Sequence, residues 1–304
     1  MPDDESIRVA VFRWLREQMQ LWQDVLPIGT LRRGFMLDGH VMSLIGPRGI
    51  WIPRQLDGVP ISITTTWKGP YDDQLADDGL LVYRFQGNDP TSRDNRAMRT
   101  AMERRLPLVY FRAVTTGWYL PVFPVFVARQ DVAQLAFHVA VDPAYGLSGG
   151  EHATGVDEDP IDSPIGIKRY IHSLVKARIH QSRFRVQVLA AYDVRCCLCR
   201  LAHRELLDAA HIIPDGEPDG DPVVPNGLSL CKIHHAAFDR NFIGISPDCE
   251  IEVNRELLDE IDGPMLKHGI QELNGSKLIE PGSRRNRPDR DRLARRYEEF
   301  RWAG

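Results

Sequence analysis

Residues 206–216 read LLDAAHIIPDG, and residues 226–239 read NGLSLCKIHHAAFD. A single histidine after a short apolar run, such as His211, is usually a packed core residue. Two adjacent histidines closely behind a cysteine are harder to explain by packing alone. The pattern therefore directs attention to metal binding and catalysis in this part of the chain.

Four side chains around these stretches have the spacing of zinc ligands. Cys196 and Cys199 form C-x-x-C, and Cys231 and His234 form C-x-x-H about thirty residues later. Two such pairs close a tetrahedral site, and thiolates with an imidazole suit Zn²⁺. The sequence predicts a structural zinc here, with four unrelated thiols and imidazoles as the alternative. We expect the spare Cys197 to be a packed cysteine.

Three further residues follow in a fixed order once the zinc pairs are set aside. His211, Asn226 and His235 are spaced 15 and 9 residues apart, and Asp239 lies four residues beyond His235. The order, the spacing and the flanking zinc pairs resemble the HNH (ββα-metal) nucleases over residues 192–245. The resemblance is to the subgroup that carries AAHIIP followed by NGL, LC, HH and FD.

This resemblance implies a role for each residue. His211 is the expected general base, and an imidazole that titrates near pH 6.5 can accept a proton in the cell. Asn226 is expected to orient this base and to tie down the loop. His235 is expected to hold a divalent metal, and Asp239, on the same helix face at i+4, is a candidate second ligand. Nitrogen and oxygen donors fit Mg²⁺ or Mn²⁺.

One position departs from the HNH pattern. Many HNH sites place Asp or His directly before the general base, and here that position is Ala210. Asp208 points to the same strand face as Ala210 and is a candidate to replace the missing metal ligand. If neither serves, the alternative is a weak or inactive site.

The N-terminal part carries a second resemblance. Residues 46–87 contain a strand beginning SI, then GPYDD, an acidic DDG turn, and an aromatic strand ending in FQG. This resembles the SRA domain, a PUA-like curled β-barrel that reads modified cytosine, over about residues 30–145. Such a reader inspects a base that has been flipped out of the duplex.

The SRA resemblance implies a base pocket. Two tyrosines twelve residues apart would stack the flipped base, and Tyr71 and Tyr83 have that separation. Asp73 is the preferred reader of the base edge, with Gln74 as the second candidate. The alternative is that both tyrosines are ordinary barrel residues, because tyrosine favours strands.

The chain pattern predicts an α+β protein of two domains. A helix is expected at 5–25, short strands between 27 and 145 interrupted by one helix at about 92–104, and a basic helix at 166–191. A stretch rich in Gly, Pro and acids supplies the linker. The predicted organisation has three parts: an SRA-like reader at 1–148, a linker at 149–165, and a zinc-stapled HNH domain with flanking helices at 166–304.

Positive charge is concentrated locally, although the net charge is −4. Residues 166–200 hold eight positive charges and one negative, and residues 284–296 hold seven arginines and two aspartates. Such stripes grip phosphates or form solvated helix faces. Arg183 and Arg185 are the candidates for contacts with the DNA backbone.

Location and assembly follow from what the sequence lacks. It has no apolar run long enough to span a membrane, and no signal-peptide pattern at its start. Five clustered cysteines argue against a disulfide framework. We expect a cytoplasmic protein without a membrane partner. Because one HNH site cuts one strand at a time, a homodimer is a candidate for double-strand cleavage.

The combined prediction is a modification-dependent DNA endonuclease. The first domain would flip out a modified cytosine in double-stranded DNA, and the second would hydrolyse a phosphodiester bond nearby. The alternatives are a modified-DNA-binding protein with an inactive HNH scaffold, or an HNH nuclease whose first domain reads another DNA feature. Zinc is expected to hold residues 195–235 together, because this segment looks rich in loops and short of apolar side chains.

Overall fold

The computed structural model describes residues 3–66, 80–142, 164–261 and 263–303. It mixes α-helices and β-strands and divides into two compact units, Met1–Ser182 and Arg183–Gly304. Residues 149–163 of the predicted linker lie outside the described ranges. The predicted domain boundaries stay a prediction.

The first unit begins with a capped amphipathic helix. α1 spans Asp4–Trp22, and the carboxylate of Asp3 accepts a hydrogen bond from the backbone N–H of Ser6 at 2.8 Å. Its buried face carries Ile7, Val11 and Leu15 at helical spacing. This helix was expected from the sequence at 5–25.

Seven strands of the first unit form one curled sheet. The order is β4-β5-β7-β8-β9-β6, with β1 pairing with β8. Only the pairing of β5 with β7 is parallel. Register shifts within the long strands β7 and β8 bend the sheet, because a bulge increases local twist. The strands are β1 Leu26–Pro27, β4 Ile50–Trp51, β5 Ser62–Thr64, β6 Leu81–Arg84, β7 Leu108–Thr115, β8 Trp118–Asp131 and β9 Ala136–Val141.

Two further helices and a hairpin lie among the described residues of this unit up to residue 142. α3, Arg93–Glu103, matches the helix expected at 92–104. The expectation that it would be the single helix among the strands was wrong. A second helix, α2 at Ile28–Arg33, follows Pro27, whose fixed φ of −72° leads directly into it. It precedes the hairpin of β2 Phe35–Leu37 and β3 His40–Met42.

The second unit is built around a hairpin and the helix that follows it. α4, Pro164–Ala191, runs into this unit. β10 Leu207–His211 pairs antiparallel with β11 Gly227–Cys231, and α5 begins at once with Lys232–Asp239. This is the strand–strand–helix arrangement expected from the sequence.

The remaining elements extend the second unit. β12 Ile243–Ile245 and β13 Ile251–Val253 form another hairpin. The short helices α6 Arg255–Asp259 and α7 Pro264–Gly269 follow, and α8 Arg290–Ala303 ends the described chain. Short 3₁₀ turns lie at Arg204–Leu206, Val224–Asn226, Gln271–Leu273 and Arg284–Asn286.

The hairpin segment is better supplied with apolar contacts than the sequence indicated. Leu207, Ile212, Leu228 and Leu230 are fully buried, and they belong to one cluster with side chains of α4, β12 and β13. The expectation of a segment short of apolar residues was therefore wrong. Leu228 and Leu230 alternate with Ser229 along β11, and Ile212 lies just beyond the end of β10, so composition alone understates their burial.

Most arginines of the C-terminal stripe form ion pairs with acidic residues of the same unit. Five of the seven arginines in residues 284–296 pair with acids: Arg287 with Glu280, Arg290 with Asp248, Arg292 with Asp221, Arg295 with Glu217, and Arg296 with Glu299. Arg296 is buried and also donates to the backbone carbonyl of Phe238 at 2.8 Å. The stripe thus fastens α8 to its neighbours.

The described ranges contain no helix that combines enough length with enough apolar character to cross a bilayer.

Candidate active site and metal centre

His211 ends β10 and lies against α4. Its imidazole stacks on the ring of Phe184, with centroids 4.0 Å apart and planes inclined by 17°. Gly227 is the residue opposite His211 in the hairpin. A Cβ atom at Gly227 would come within 2.4 Å of Val188 Cγ2 and 2.9 Å of Phe184 Cζ. Glycine therefore allows the helix to pack closely enough for Phe184 to reach the imidazole.

The surroundings of His211 favour its neutral form. Burial lowers its pKa below the usual 6.5, and His235 lowers it further, while the nearby Asp215 and Asp239 oppose the shift. Its Nε2 is buried and has no hydrogen-bond partner among the described residues. A neutral imidazole is the form that can accept a proton.

Asn226 is fully buried and ties the loop that joins β10 to β11. Its side-chain oxygen accepts from the backbone N–H of Ile213 at 2.9 Å. Its side-chain nitrogen donates to the carbonyls of Ile213 at 3.0 Å and Asp221 at 3.1 Å. These bonds hold the chain just beyond His211, as a loop-tying residue would.

His235 lies between two carboxylates at the start of α5. Its Nδ1 is 3.2 Å from Asp208 Oδ2, and its Nε2 is 3.3 Å from Asp239 Oδ2. The Lys232 ammonium lies 2.7 Å from the other oxygen of Asp208. The hairpin register and the helical i,i+4 spacing together bring these four side chains into one row.

Charge pairing sets the pKa values in this row. Burial of Asp208 acts to raise its pKa, but hydrogen bonds from His235 and Lys232 lower it to about 2. Burial of His235 acts to lower its pKa, but its hydrogen bond with Asp208 and the charges of both aspartates raise it. Asp208 is therefore ionised at neutral pH.

The four predicted zinc ligands lie together. The Sγ atoms of Cys196, Cys199 and Cys231 and a ring nitrogen of His234 all lie within 4.8 Å of one another. His234 Nδ1 is 3.4 Å from Cys196 Sγ and 3.2 Å from Cys231 Sγ. Two such ligands around one tetrahedral zinc are about 3.5 Å apart, given typical Zn–S and Zn–N bond lengths. This Cys₃His cluster can hold zinc.

The partner of His234 supports the same assignment. Its Nε2 lies 2.7 Å from the carbonyl oxygen of Gly269, which accepts the ring N–H and leaves Nδ1 for a metal. Burial acts to lower the pKa of His234, but its hydrogen bonds with the sulfur atoms of Cys196 and Cys231 and with the carbonyl of Gly269 raise it to about 10. Hydrogen bonds from the other two cysteines hold the pKa of Cys196 far below its usual range. Cys197 is buried, as expected for a packed cysteine.

The predicted catalytic ligands are less closely gathered than the Cys₃His cluster. In the part of the chain that the structure describes, no other set of three or more His, Cys, Asp or Glu ligand atoms lies so close together. His235 and Asp239 form a pair, and Asp208 lies on the other side of the imidazole. Ala210 is fully buried.

The predicted base pocket can be described only in part. Tyr71, Asp73 and Gln74 lie outside the described residues. Tyr83 lies on β6 with 8% of its surface exposed, and its hydroxyl donates to the carbonyl of Thr64 at 3.3 Å. Burial raises its pKa well above the usual value. This burial is what the alternative of an ordinary barrel residue predicts.

The predicted phosphate-contacting arginines lie on α4, and both are partly buried. The guanidinium of Arg185 donates to the backbone carbonyls of Leu207 at 2.7 Å and Arg204 at 3.3 Å. Arg185 is therefore anchored beside the first residue of β10, while Arg183 lies two residues earlier on the same helix.

Sequence reasoning did not single out Phe184 and Lys232. Phe184 lies at i and i+4 with Val188 on a buried helix face, which is a signal for packing but not for contact with His211. Lys232 lies two residues before the histidine pair, and its partner Asp208 is 24 residues away in sequence. Only the strand pairing brings the two together.

One family matches part of the chain. The family described as HNH endonuclease matches residues 196–246. This range holds the Cys₃His cluster, the hairpin and α5. The chain therefore contains an HNH endonuclease domain, and the protein is an enzyme of the phosphodiester-hydrolysing class. No curated protein matches the chain.

Two solved structures are similar over larger parts of the chain. One is titled "Modification dependent TagI restriction endonuclease", with 18% identity over 79% of this chain and 81% of that chain, at a TM-score of 0.30. The other is the Type IV phosphorothioation-dependent restriction endonuclease ScoMcrA, with 17% identity over 59% of this chain and 54% of that chain, at a TM-score of 0.21.

Proposed function

We propose that the protein is a modification-dependent DNA endonuclease. The second unit cuts DNA, and the first unit recognises a modified cytosine that has been flipped out of double-stranded DNA. The observation that carries the cutting activity is the HNH match over residues 196–246, together with the stacked His211 and the His235–Asp239 pair within one hairpin-and-helix unit.

His211 is the proposed general base. Its Nε2 is buried, so Nδ1 is the nitrogen that can accept a proton from water. The oxygen of that water attacks phosphorus, the bond between phosphorus and the leaving sugar oxygen breaks, and that oxygen takes up a proton from solvent. Asn226 holds the loop next to the base through its three hydrogen bonds.

His235 and Asp239 are the proposed ligands of a catalytic Mg²⁺ or Mn²⁺. Their facing donor atoms are 3.3 Å apart, close to the separation of about 3 Å expected for neighbouring ligands of an ion with bonds near 2.1 Å. When bound, such a cation stabilises negative charge on the phosphate and the leaving oxygen. Asp208, the candidate replacement for the ligand missing at Ala210, faces the other ring nitrogen of His235.

The reader function is proposed from the resemblance of residues 46–87 to SRA domains, which the curled sheet of the first unit supports. Tyr71 and Tyr83 would stack the base, with Asp73 or Gln74 at its edge. Arg183 and Arg185 would contact the DNA backbone. A second candidate is a reader of another DNA feature, such as a phosphorothioate backbone. The burial of Tyr83 favours a reader that does not stack a flipped base on this ring.

The other parts of the proposal rest on sequence alone. They are the boundaries of a reader at 1–148, a linker at 149–165 and a nuclease at 166–304, a location in the cytoplasm, and a homodimer when both strands are cut.

A cleavage panel tests the proposed function. Purified protein with Mg²⁺ or Mn²⁺ is incubated with matched plasmids carrying unmodified, 5-methylated, 5-hydroxymethylated or phosphorothioated DNA. Preferential cutting of a cytosine-modified plasmid supports the proposal, and preferential cutting of the phosphorothioated plasmid supports the second candidate. Equal cutting of all four, or of none, contradicts modification dependence.

His211→Ala is the control for contaminating nucleases. Loss of cutting with retained binding to the preferred DNA assigns cleavage to this site. Cutting at the wild-type rate would remove His211 from the mechanism.

A further inference from the structure

Asp208 lies beside the helix histidine, on the side of the ring away from Asp239. One ring nitrogen of His235 faces each carboxylate, at 3.2 Å for Asp208 and 3.3 Å for Asp239. An imidazole binds a metal through one nitrogen and donates its other N–H to a carboxylate or a carbonyl. The two aspartates therefore have different roles, and the geometry alone allows either assignment.

Lys232 distinguishes the two aspartates. Its ammonium lies 2.7 Å from Asp208 Oδ1, so both oxygens of Asp208 already face a donor. A cation bound to Asp208 would lie close to this ammonium and be repelled by it. Among the described residues, Asp239 has His235 as its one ion-pair partner, and 55% of its side chain is exposed, against 19% for Asp208.

We propose that Asp208 is a positioning residue: it accepts the Nδ1 proton of His235 and so presents Nε2, beside Asp239, to the divalent cation. The inference rests on the proposed function in assuming that His235 holds this cation. On this assignment the protein supplies two ligands, because Ala210 contributes none. Water and DNA phosphate would then fill the other positions around the cation, as they commonly do at Mg²⁺ sites. Lys232 occupies the second oxygen of Asp208.

The first test measures Mn²⁺ affinity of the zinc-loaded full-length protein by titration calorimetry, without DNA. Asp239→Asn is expected to abolish binding at this site. Asp208→Ala is expected to weaken it by about 10–100-fold, the usual effect of losing a supporting hydrogen bond. Asp208→Asn is expected to stay within a few-fold of wild type, because its amide oxygen still accepts from Nδ1–H. Asp215→Asn is the matched control, an acid near His211 that does not contact His235.

The second test reads the imidazole directly. The ¹⁵N chemical shifts of the His235 ring report which of its nitrogens carries the proton, and comparison with His235→Ala assigns the signals. The sample contains diamagnetic Mg²⁺ in place of Mn²⁺. The expected form has the proton on Nδ1 in wild type and in Asp208→Asn, with this preference lost in Asp208→Ala. Thermal unfolding of each variant shows that it is folded.

Three outcomes would overturn the inference. Loss of Mn²⁺ affinity in Asp208→Asn as complete as in Asp239→Asn would make Asp208 a ligand. Unchanged affinity and unchanged shifts in Asp208→Ala would leave it without a role. Mn²⁺ binding that His235→Ala does not alter would remove the premise. Because no measurement here uses modified DNA, failure of the plasmid panel is distinguishable from failure of the positioning role.

Discussion

Gly227→Ala is expected to disturb both the stability of the second unit and the placement of His211. The added Cβ would lie 2.4 Å from Val188 Cγ2 and 2.9 and 3.0 Å from two ring carbons of Phe184. Ordinary carbon–carbon contacts are about 3.5–4.0 Å, so Val188 must move by about 1 Å. Val188 and Phe184 are 0% and 2% exposed. Because the interior around them is close-packed, these side chains have little room to move away from the added methyl group.

The cost follows from overpacking a buried interface. Inserting one methyl group into a well-packed core typically destabilises by about 1–3 kcal/mol. At about 4 °C per kcal/mol for a unit of this size, the melting temperature should fall by about 4–12 °C. Because Phe184 also stacks on His211, DNA cleavage should fall more than DNA binding.

Thermal unfolding and plasmid cleavage measure the two effects. Gly282→Ala is the control, since a Cβ there meets nothing within 4 Å and should change stability by less than about 0.5 kcal/mol. Combining Gly227→Ala with Val188→Ala should recover part of the loss, because the shortened side chain removes the closest contact. The packing argument would be refuted if Gly227→Ala had the melting temperature of wild type. It would also be refuted if the destabilisation of the double variant equalled the sum of the two single destabilisations.

Three further predictions concern the base, the zinc cluster and the arginine stripe. Burial lowers the pKa of His211 below 6.5, and a base works when deprotonated, so the acidic limb of the pH–rate profile should lie below pH 6.5; a limb at or above this value would contradict the environment described. Stripping zinc with a strong chelator, or Cys231→Ser, should lower the melting temperature of the second unit sharply in calorimetry, because structural zinc binding is worth about 10 kcal/mol or more; unchanged melting would argue against a metal staple. Arg296→Ala, which removes a buried donor to a backbone carbonyl, should cost about 2–3 kcal/mol in denaturant unfolding, whereas Arg295→Ala, at an exposed ion pair, should cost less than about 1 kcal/mol; equal costs would mean that burial does not set their value.

The sequence alone determined the local elements and the metal-binding pattern. Hydrophobic periodicity predicted α1 and α4 because a helix repeats every 3.6 residues, whichever partner it packs against. Cysteine and histidine spacing predicted the Cys₃His cluster because two ligands with two residues between them converge on one turn without help from distant parts of the chain. The helix α2 was missed because six residues are too few for periodicity to be read.

Only the tertiary structure decided how the catalytic histidines are supported. The stack of Phe184 on His211 depends on α4 crossing a hairpin at a glycine, and the Asp208–His235 and Asp208–Lys232 contacts join residues 27 and 24 positions apart. The arginine stripe likewise forms internal ion pairs because four of its five acids lie in loops, up to 78 residues away in sequence. Such contacts depend on strand register and helix packing, which no local pattern encodes. The reactive residues could therefore be identified from the sequence, whereas the residues that contact them could not.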